Sequence, residues 1–528
     1  MDLLNFRKTI ENENLETAIN IWEKELNYRE KGCAYDLLTQ IYGLKEVVCF
    51  LEKKYYGKED ELAQQLQTSE LKKVFPRQVK KIATYYHRLS NGGVQRVVSQ
   101  LIPLWCSMGY EVLLLTDEEP SEEDYELPDG VERLVLPNCA KIRSGNYEKR
   151  AEMLEKIIEE QQIDRMVYHA YLGNMLFWDL MMLKGHKIPF VVCTHSVFSR
   201  FAMEGYYRTF VKMPFLYRFC DCLLTLSKTD VEFYASMGIR VIYMPNPVDL
   251  TVSREKMARL DKPCMIWVGR ISEEKNPLAA VEIAAKVIKE IPEAELLIVG
   301  KGDEKLTEQL EQRIHAQKME KNIRLCGFQK NVEAFYQKAS VCIGTSRVEG
   351  FPCTNIESRL YGLPSVCFDL PYVELYKTDQ GLITVPQGDV EGAADAVAAL
   401  LKDSRFRGKT GQDARKLIEQ FAAFNYADAW KQVFEGTLTF TEASEDCRTM
   451  METLLQHYKE GLSPHREVIV TQCRKAETQR METQKKEYEK RLEEIQNSHS
   501  YRLGHALLWL PGKIKKWLKL LKNDKRKL

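Results

Sequence analysis

Two carboxylates lie eight residues apart in the segment SRVEGFPCTNIES, residues 346–358. Glu349 comes just before a Gly-Phe-Pro turn, and Glu357 follows the turn, where a buried strand gives way to a predicted helix. Acidic side chains are favourable near the positive end of a helix dipole, which is one explanation for their position. The other is that they accept hydrogen bonds from the hydroxyls of a ligand whose own charge lies between them.

The turn between the two acids is suited to an anion. Pro352 is compatible with the first helical turn, where its missing N–H costs nothing. We therefore expect the backbone amides from Gly350 through Phe351 to Thr354 to form an anion site at the helix start.

Two cations follow another predicted strand, in the segment MIWVGRISEEKNP. The strand ends at Gly269-Arg270, and Lys275 comes five residues later. Arginine can clamp phosphate oxygens bidentately, and lysine supplies a point charge, so the pair suits a diphosphate. Solvated loop charges would explain either residue alone. Together with the two acids, the cations indicate a nucleotide-sugar site.

Two further loops could approach the same ligand. The segment LLIVGKGDE ends a predicted strand at Gly300, with Gly302 two residues on, and glycine allows close backbone approach. The segment IRLCGF ends another strand at Gly327-Phe328, where the loop could pass a flat base.

The first half of the chain offers weaker signals. Its first predicted strand, KIATYYH, runs into Asn91-Gly92-Gly93 just before a helix, a backbone that can come close to a phosphate. The segment VVCTHS ends a strand at His195. A lone histidine is more often structural, but at a strand's carboxyl end it is a candidate to contact a substrate hydroxyl or phosphate.

Short apolar strands alternating with helices position all of these residues, and the pattern occurs in two successive series. It predicts an α/β fold with two doubly wound, Rossmann-like domains facing a cleft. The first series is KIATYYH, YEVLLLTD, VERLVLP, DRMVYHAY, PFVVCTHS, DCLLTLS and IRVIYMPNP; the second is CMIWVGR, AELLIVGKG, IRLCGF, SVCIGTS, PSVCFDL and GLITVP. The predicted boundaries are an N-terminal helical region 1–77, domains 78–248 and 249–436, a helical or coiled-coil linker 437–500, and a tail 501–528.

The bulk composition excludes several classes of protein. Lys+Arg and Asp+Glu balance at 76 each, which gives no reason to expect nucleic acid. The fourteen cysteines are scattered through apolar segments without paired metal-ligand spacing, so zinc is not expected and a reduced compartment is. The start of the chain lacks an apolar signal core, and no apolar run is long enough to span a membrane.

The tail carries an asymmetric charge. Residues 501–528 hold nine Lys/Arg and one Asp, so the tail is +8 and the rest of the chain −8. Ile514, Trp517, Leu518 and Leu521 share one helical face, a pattern typical of an interfacial anchor on an anionic membrane. A helix docked on its own protein is the alternative. Heptad-like spacing before the tail leaves a coiled coil, with self-association, and a single solvated helix both open.

The ordered series LSNGGVQRV, NPVD, VGRISEEKN, LLIVGKGD, IRLCGF and EGFPCTNIE…YGLP resembles the family 4 retaining glycosyltransferases of the GT-B fold, over residues 80 to 436. The resemblance implies that Glu357 holds the donor's ribose, Glu349 the sugar hydroxyls, and Arg270 and Lys275 the diphosphate. It also implies that His195 lies near the sugar.

Further roles follow from the same resemblance. It implies that Gly93 approaches the diphosphate and that the Gly350 and Phe351 amides contact sugar and phosphate. It implies a same-face, retaining transfer without a metal or other cofactor, from a nucleotide sugar that is by family habit a UDP-sugar.

Similar tails ending in SYRLG before a basic stretch occur on bacterial enzymes of surface-polysaccharide assembly. The expected acceptor is therefore a glycan or a lipid-linked glycan, and the expected location is cytoplasmic and peripheral to the membrane.

One departure from the family pattern is ESRLYG after the second acid, where small residues are usual. A non-catalytic partner- or glycan-binding subunit and a sugar-nucleotide 2-epimerase of the same architecture are the alternatives.

Overall fold

The computed structural model describes residues 1–74, 78–90, 92–138, 141–198, 207–247, 256–329, 331–377, 381–421, 424–440 and 442–459. Asn91, most of the 437–500 linker and the whole 501–528 tail lie outside these residues. The compact unit Met1–Leu454 holds both predicted series of strands, and Leu455–Leu528 forms a second unit.

All thirteen predicted strands are present in the described residues, in two parallel sheets. The first sheet has the order β3-β2-β1-β4-β5-β6-β7 and the second β10-β9-β8-β11-β12-β13. The strands are β1 Lys81–Tyr85, β2 Glu111–Thr116, β3 Glu132–Val135, β4 Arg165–Tyr168, β5 Phe190–Cys193, β6 Cys222–Thr225, β7 Val241–Tyr243, β8 Cys264–Val268, β9 Glu295–Val299, β10 Ile323–Leu325, β11 Val341–Gly344, β12 Ser365–Phe368 and β13 Leu382–Val385. Their near-continuous apolar sequences fit strands covered by helices on both faces.

The helices of the first half begin with a cluster that packs on the first sheet's own helices. They are α1 Leu3–Ile10, α2 Leu15–Glu25, α3 Tyr28–Tyr42, α4 Leu44–Tyr55, α5 Glu59–Gln65, α6 Gly93–Ser107, α7 Glu148–Gln161, α8 Leu176–Gly185, α9 Tyr207–Tyr217 and α10 Lys228–Ser236. Helix α4 packs on α7 and α8, and α5 packs on α9. The backbone N–H of Gly145 donates to the Glu52 carboxylate at 2.8 Å, which ties α4 to the first sheet's loops.

Most helices of the second half cover the second sheet, but the last two contact the first domain. They are α11 Pro277–Glu290, α12 Glu304–Ala316, α13 Glu333–Lys338, α14 Cys353–Leu360, α15 Val390–Lys402, α16 Ser404–Phe421, α17 Tyr426–Glu435 and α18 Glu445–Lys459. Helix α17 falls within the predicted second domain but packs on the first, where the Trp430 ring lies 4.8 Å from that of Trp105 in α6. An apolar helix face indicates that the helix is buried, but it does not indicate against which domain. The sequence therefore could not predict that α17 packs on the first domain.

Both sheets reverse their direction of growth at one place. In the first sheet this point lies between β1 and β4, and in the second between β8 and β11. Loops at the carboxyl ends of such neighbouring strands diverge and leave a crevice, the usual ligand site of doubly wound sheets.

Candidate active site

Lys275 and Glu349 meet in the crevice of the second sheet. Lys275 lies in the loop after β8, and Glu349 lies in the loop after the neighbouring strand β11. The Lys275 ammonium donates to Glu349 Oε1 at 2.6 Å, and the Ser346 hydroxyl donates to the same oxygen at 2.6 Å. The Glu349 carboxylate, only 8% exposed, is therefore held in place by two donors in front of a helix start.

A buried threonine fixes these two loops to each other. Thr345, directly after β11, accepts from the Trp267 indole at 2.9 Å. Its own hydroxyl lies 3.0 Å from the carbonyl oxygen of Lys275 and 2.8 Å from that of Asn276, either of which can accept its proton. The backbone that carries Lys275 is thus anchored to the strand that leads to Glu349.

Helix α14 presents Glu357 to the first domain. Ile356 and Leu360, four residues apart, face the core, while Glu357 is partly exposed one turn inside the helix. The helix begins at Cys353, so Pro352 is the residue before its first turn rather than within that turn. The Glu357 carboxylate accepts from Tyr336 at 3.3 Å.

A first-domain arginine reaches Glu357 across the crevice. Arg96 Nη1 donates to Glu357 Oε1, joining positions 261 residues apart in the chain. Arg96 lies in the first turn of α6, three residues after Gly93, and its side chain is 43% exposed. Sequence analysis missed this residue because the helix pattern contains no signal for a contact at such separation.

The two domains also touch at Gly350 and His195. A Cβ on Gly350 would lie 2.6 Å from the carbonyl oxygen of His195 and 3.0 Å from the Cα of Ser196. Only glycine allows this approach, because both neighbouring atoms belong to backbone. Glu349 is therefore brought next to the carboxyl end of β5, where His195 lies.

His195 is paired with a second histidine that the sequence analysis did not select. Its Nε2 lies 2.9 Å from His169 Nδ1, and the rings stack with centroids 5.2 Å apart. Burial lowers the pKa of His195 to about 3, so the ring is neutral at physiological pH. One of the two facing nitrogens carries the shared proton, and the choice decides whether His195 Nδ1 donates or accepts.

Arg270 lies apart from the Lys275–Glu349 contact. Its side chain is 65% exposed and forms an ion pair with Glu274. The predicted diphosphate clamp is therefore not assembled in this structure, although both cations follow β8.

The glycines in the loops after β9 and β10 have different surroundings. A Cβ on Gly300 would lie 1.8 Å from the carbonyl oxygen of Gly269, so loop packing alone requires this glycine. A Cβ on Gly302 would likewise clash, at 2.1 Å from the carbonyl oxygen of Ile271. Gly327 has φ of +65° and faces open space, and the neighbouring Phe328 is 51% exposed, with the Lys301 ammonium 5.4 Å from its ring centroid.

The glycines of the first domain differ in the room around them. A Cβ on Gly92 would meet the Gln95 side chain at 2.1 Å, whereas nothing lies within 4 Å of one on Gly93. Gly93 begins α6, so its open side is compatible with the close approach of a ligand.

A buried polar network supports the neighbouring edge of the first sheet. Asp117, after β2, accepts from Tyr85 at 2.8 Å, lies 2.9 Å from His87 Nδ1, and forms an ion pair with Arg150 at 2.9 Å. Arg150 also binds Asp179. His87 is the partly exposed end of this network and follows β1, ahead of Gly92 and Gly93 in the chain.

The departure at ESRLYG proves to be a buried arginine. Arg359 is 0% exposed, and none of its three guanidinium nitrogens has a hydrogen-bond partner among the described residues. Burial lowers the pKa of Arg359 from its ordinary value. A buried guanidinium without a hydrogen-bond partner among the described residues thus lies two residues after Glu357 in the same helix.

Metal-ligand clusters and membrane-spanning helices are both absent from the described residues. Within it, no three His, Cys, Asp or Glu side chains are grouped so that they could hold a metal ion. Nor does this part contain a helix that is both long and apolar enough to cross a membrane.

Family models match both halves of the chain. The model described as "Glycosyltransferase Family 4" matches residues 91–252, and that described as "Glycosyl transferases group 1" matches residues 251–417. The chain is 31% identical to the poly(glycerol-phosphate) alpha-glucosyltransferase of Bacillus subtilis over 35% of this chain and 27% of that protein.

A second relative is matched over nearly its whole length. It is the GalNAc-alpha-(1->4)-GalNAc-alpha-(1->3)-diNAcBac-PP-undecaprenol alpha-1,4-N-acetyl-D-galactosaminyltransferase of Campylobacter jejuni, 24% identical over 66% of this chain and 97% of that protein. Among solved structures, Anabaena HepE in complex with UDP and glucose has a TM-score of 0.55 at 16% identity, covering 68% of this chain and 99% of that one. The two family models together span residues 91–417, more than half of the sequence, and the chain belongs to the family 4 glycosyltransferases of the GT-B fold.

Proposed function

We propose that this glycosyltransferase transfers a sugar from a UDP-sugar to a lipid-linked or polymeric glycan, with retention of anomeric configuration and without a metal ion. The observation that carries the proposal is the Lys275–Glu349 pair, held at 2.6 Å in the switch-point crevice of the second sheet. Solved structures with UDP, and a relative named for an undecaprenol-linked acceptor, support the donor and acceptor classes.

The charged groups suggest how the reaction would proceed. The bond between the anomeric carbon and the donor phosphate breaks, and a new bond forms to the acceptor oxygen on the same face. The acceptor's hydroxyl proton passes to the departing phosphate oxygen. Lys275 and Arg270 would stabilise the charge that develops on the diphosphate, which is electrostatic stabilisation of the transition state.

The carboxylates would orient the donor. Glu349 would accept hydrogen bonds from the sugar hydroxyls, and Glu357 from the ribose hydroxyls. His195, neutral because of its lowered pKa, would offer Nδ1 to the sugar without placing a second positive charge there. The same carboxylate and cation set favours this function over a non-catalytic subunit, which has no need of it.

A panel of nucleotide sugars tests the proposal. Purified full-length protein is incubated with each donor, and nucleotide release is measured with and without EDTA and a lipid-linked acceptor. Glu349→Gln and Lys275→Gln are expected to lower turnover of the best donor at least about 100-fold, as for a lost transition-state contact. Lys286→Gln, an exposed lysine on α11, is the matched control. Equal turnover in all variants would contradict the site, and an inverted anomer in the product would contradict retention.

The location is proposed from the tail's sequence. We propose that residues 501–528 bind the cytoplasmic face of an anionic membrane, since their charge is +8 and their apolar residues share a helical face. Deleting them is expected to abolish co-sedimentation with anionic vesicles and to leave donor turnover unchanged. Unaltered sedimentation would overturn this part of the proposal.

A further inference from the structure

A basic pocket lies away from the candidate active site. It has a volume of about 300 Å³, and its lining includes Lys72, Arg218, Arg240 and Arg448 together with Phe440 and Glu442. This volume is at the lower end of those typical for small-molecule sites, about 300–1,000 Å³.

The pocket lies at the opposite end of the first sheet's strands from the crevice. Arg240 comes directly before Val241, the first residue of β7, and Arg218 comes shortly before β6. These are amino ends of parallel strands, whereas His195 follows the carboxyl end of β5. The pocket is therefore a separate site and shares no described element with the donor crevice of the second sheet.

Two of its arginines carry donors without partners. The Arg218 side chain is only 8% exposed; Nε donates to the carbonyl of Met237 at 3.0 Å, and Nη1 pairs with Glu452 at 2.7 Å. Arg218 Nη2 and Arg448 Nε are both buried and have no hydrogen-bond partner among the described residues. A buried donor without a partner is costly, so an acceptor in the pocket would satisfy both.

The other two cations are held by neutral groups. Lys72 Nζ donates to the Gln67 side chain at 3.0 Å, and Arg240 donates to the carbonyls of Asp221 and Cys220 at 3.0 and 2.8 Å. These contacts position the cations but do not neutralise them. Burial and, to a smaller extent, repulsion by the nearby arginines lower the pKa of Lys72 to about 8.

The missing side chain of Gly238 leaves room for the fourth cation, Arg448. Gly238 has φ of +73°, and a Cβ there would lie 3.1 Å from Arg448 Nε. Arg448 thus lies against the backbone that leads into β7, although it belongs to α18, beyond the second sheet in the chain. The pocket is lined by segments from before the first sheet, from within it, and from after the second.

We propose that this pocket binds the phosphate group of an anionic ligand. Four cations face two carboxylates, those of Glu442 and Glu452, so a doubly charged phosphate would balance the cluster. Guanidinium groups match phosphate oxygens in geometry and form charge-assisted hydrogen bonds with them. A bound phosphate would also hold the three chain segments together, as a ligand that binds only the folded state stabilises it.

Calorimetric titration of the full-length protein with inorganic phosphate, without donor, tests the site. Arg448→Gln and Lys72→Gln are each expected to weaken binding at least about tenfold, which is about 1.4 kcal/mol. Lys402→Gln, an exposed lysine on the second domain, and Lys275→Gln in the crevice are expected to leave this binding unchanged. Loss of binding in Lys275→Gln alone would assign the phosphate to the crevice and overturn the proposal, as would no binding at about 10 mM phosphate.

A second titrant distinguishes the source of the phosphate. Monomeric dihexanoyl phosphatidic acid carries the same group on a lipid, and tighter binding than inorganic phosphate would identify a lipid headgroup as the ligand. Weaker binding would identify a soluble phosphate. Arg218→Gln serves as a further check, since thermal stabilisation by phosphate should be smaller in that variant than in the wild type. Because donor turnover is not measured, failure here would leave the proposed glycosyltransferase activity untouched.

Discussion

Replacing Gly350 with alanine tests whether the two domains must touch for catalysis. The new Cβ would lie 2.6 Å from the carbonyl oxygen of His195, and ordinary contacts begin at 3.4 Å, so the loops must separate by about 0.8 Å (3.4 − 2.6). No side-chain rotation can relieve the contact, because the neighbouring atoms belong to the backbone of His195 and Ser196.

The displacement sets the expected loss of activity. Misplacing a reacting group by about 1 Å costs on the order of 100-fold in rate. We therefore expect kcat of Gly350→Ala to fall between roughly tenfold and 100-fold, measured as nucleotide release with saturating donor and acceptor. Thermal unfolding should change little, since the clash is relieved by a small opening of the crevice.

A second glycine provides the control. Gly408 lies within α16, and a Cβ there has no neighbour within 4 Å. Gly408→Ala should leave kcat unchanged and stabilise the helix by about 0.5–1 kcal/mol. If Gly350→Ala turns over within threefold of the wild type, the contact between Gly350 and His195 is not required, and the reasoning is wrong.

Three further predictions follow from the same region. Arg96→Gln removes the partly exposed ion pair between Arg96 and Glu357, which is worth about 0.2–1 kcal/mol. The donor KM should therefore fall by up to about fivefold, and a higher KM would contradict this prediction. Because the pKa of His195 in the folded protein is lowered to about 3, the unfolded state binds more protons than the folded state below pH 6.5. The free energy of unfolding therefore decreases as the pH falls. From pH 7 to 5 urea unfolding should show a loss of up to about 2 kcal/mol that is absent in His195→Gln. Arg359→Met should raise the urea-unfolding free energy by about 1–3 kcal/mol, because it removes an unpartnered buried group; a lower value would reveal a hidden partner.

The sequence predicts the strands well because each is a short apolar run between turn signals. The six strands of the second sheet, for example, all occur where the pattern restarts after residue 262. The order of the strands is a different matter. Tertiary packing places β11 beside β8, and Glu349 meets Lys275 for that reason. Only the general rule that ligands bind at strand ends suggested this contact.

Contacts between distant segments account for what the sequence did not predict. Arg96 lies in an ordinary amphipathic helix, and nothing in its neighbours indicates a partner 261 residues away. His169 follows β4 much as His195 follows β5, so the strand-end argument applied to His195 could also have selected it; that the two rings meet depends on β4 lying beside β5. Gly300 shows the opposite case: its position predicted ligand approach, but the structure gives it a packing reason of its own.

The charged groups proposed to bind the donor are paired with protein side chains. Lys275 is bound to Glu349, Arg270 to Glu274 and Glu357 to Arg96. In the proposed reaction a donor would exchange contacts with these pairs, so its net gain from ground-state binding would be small. The gain would grow once negative charge develops on the leaving diphosphate, because the cations would then face a stronger partner than a carboxylate shared with the sugar. Such an arrangement favours the transition state over the bound substrate, which is the condition under which binding energy raises kcat.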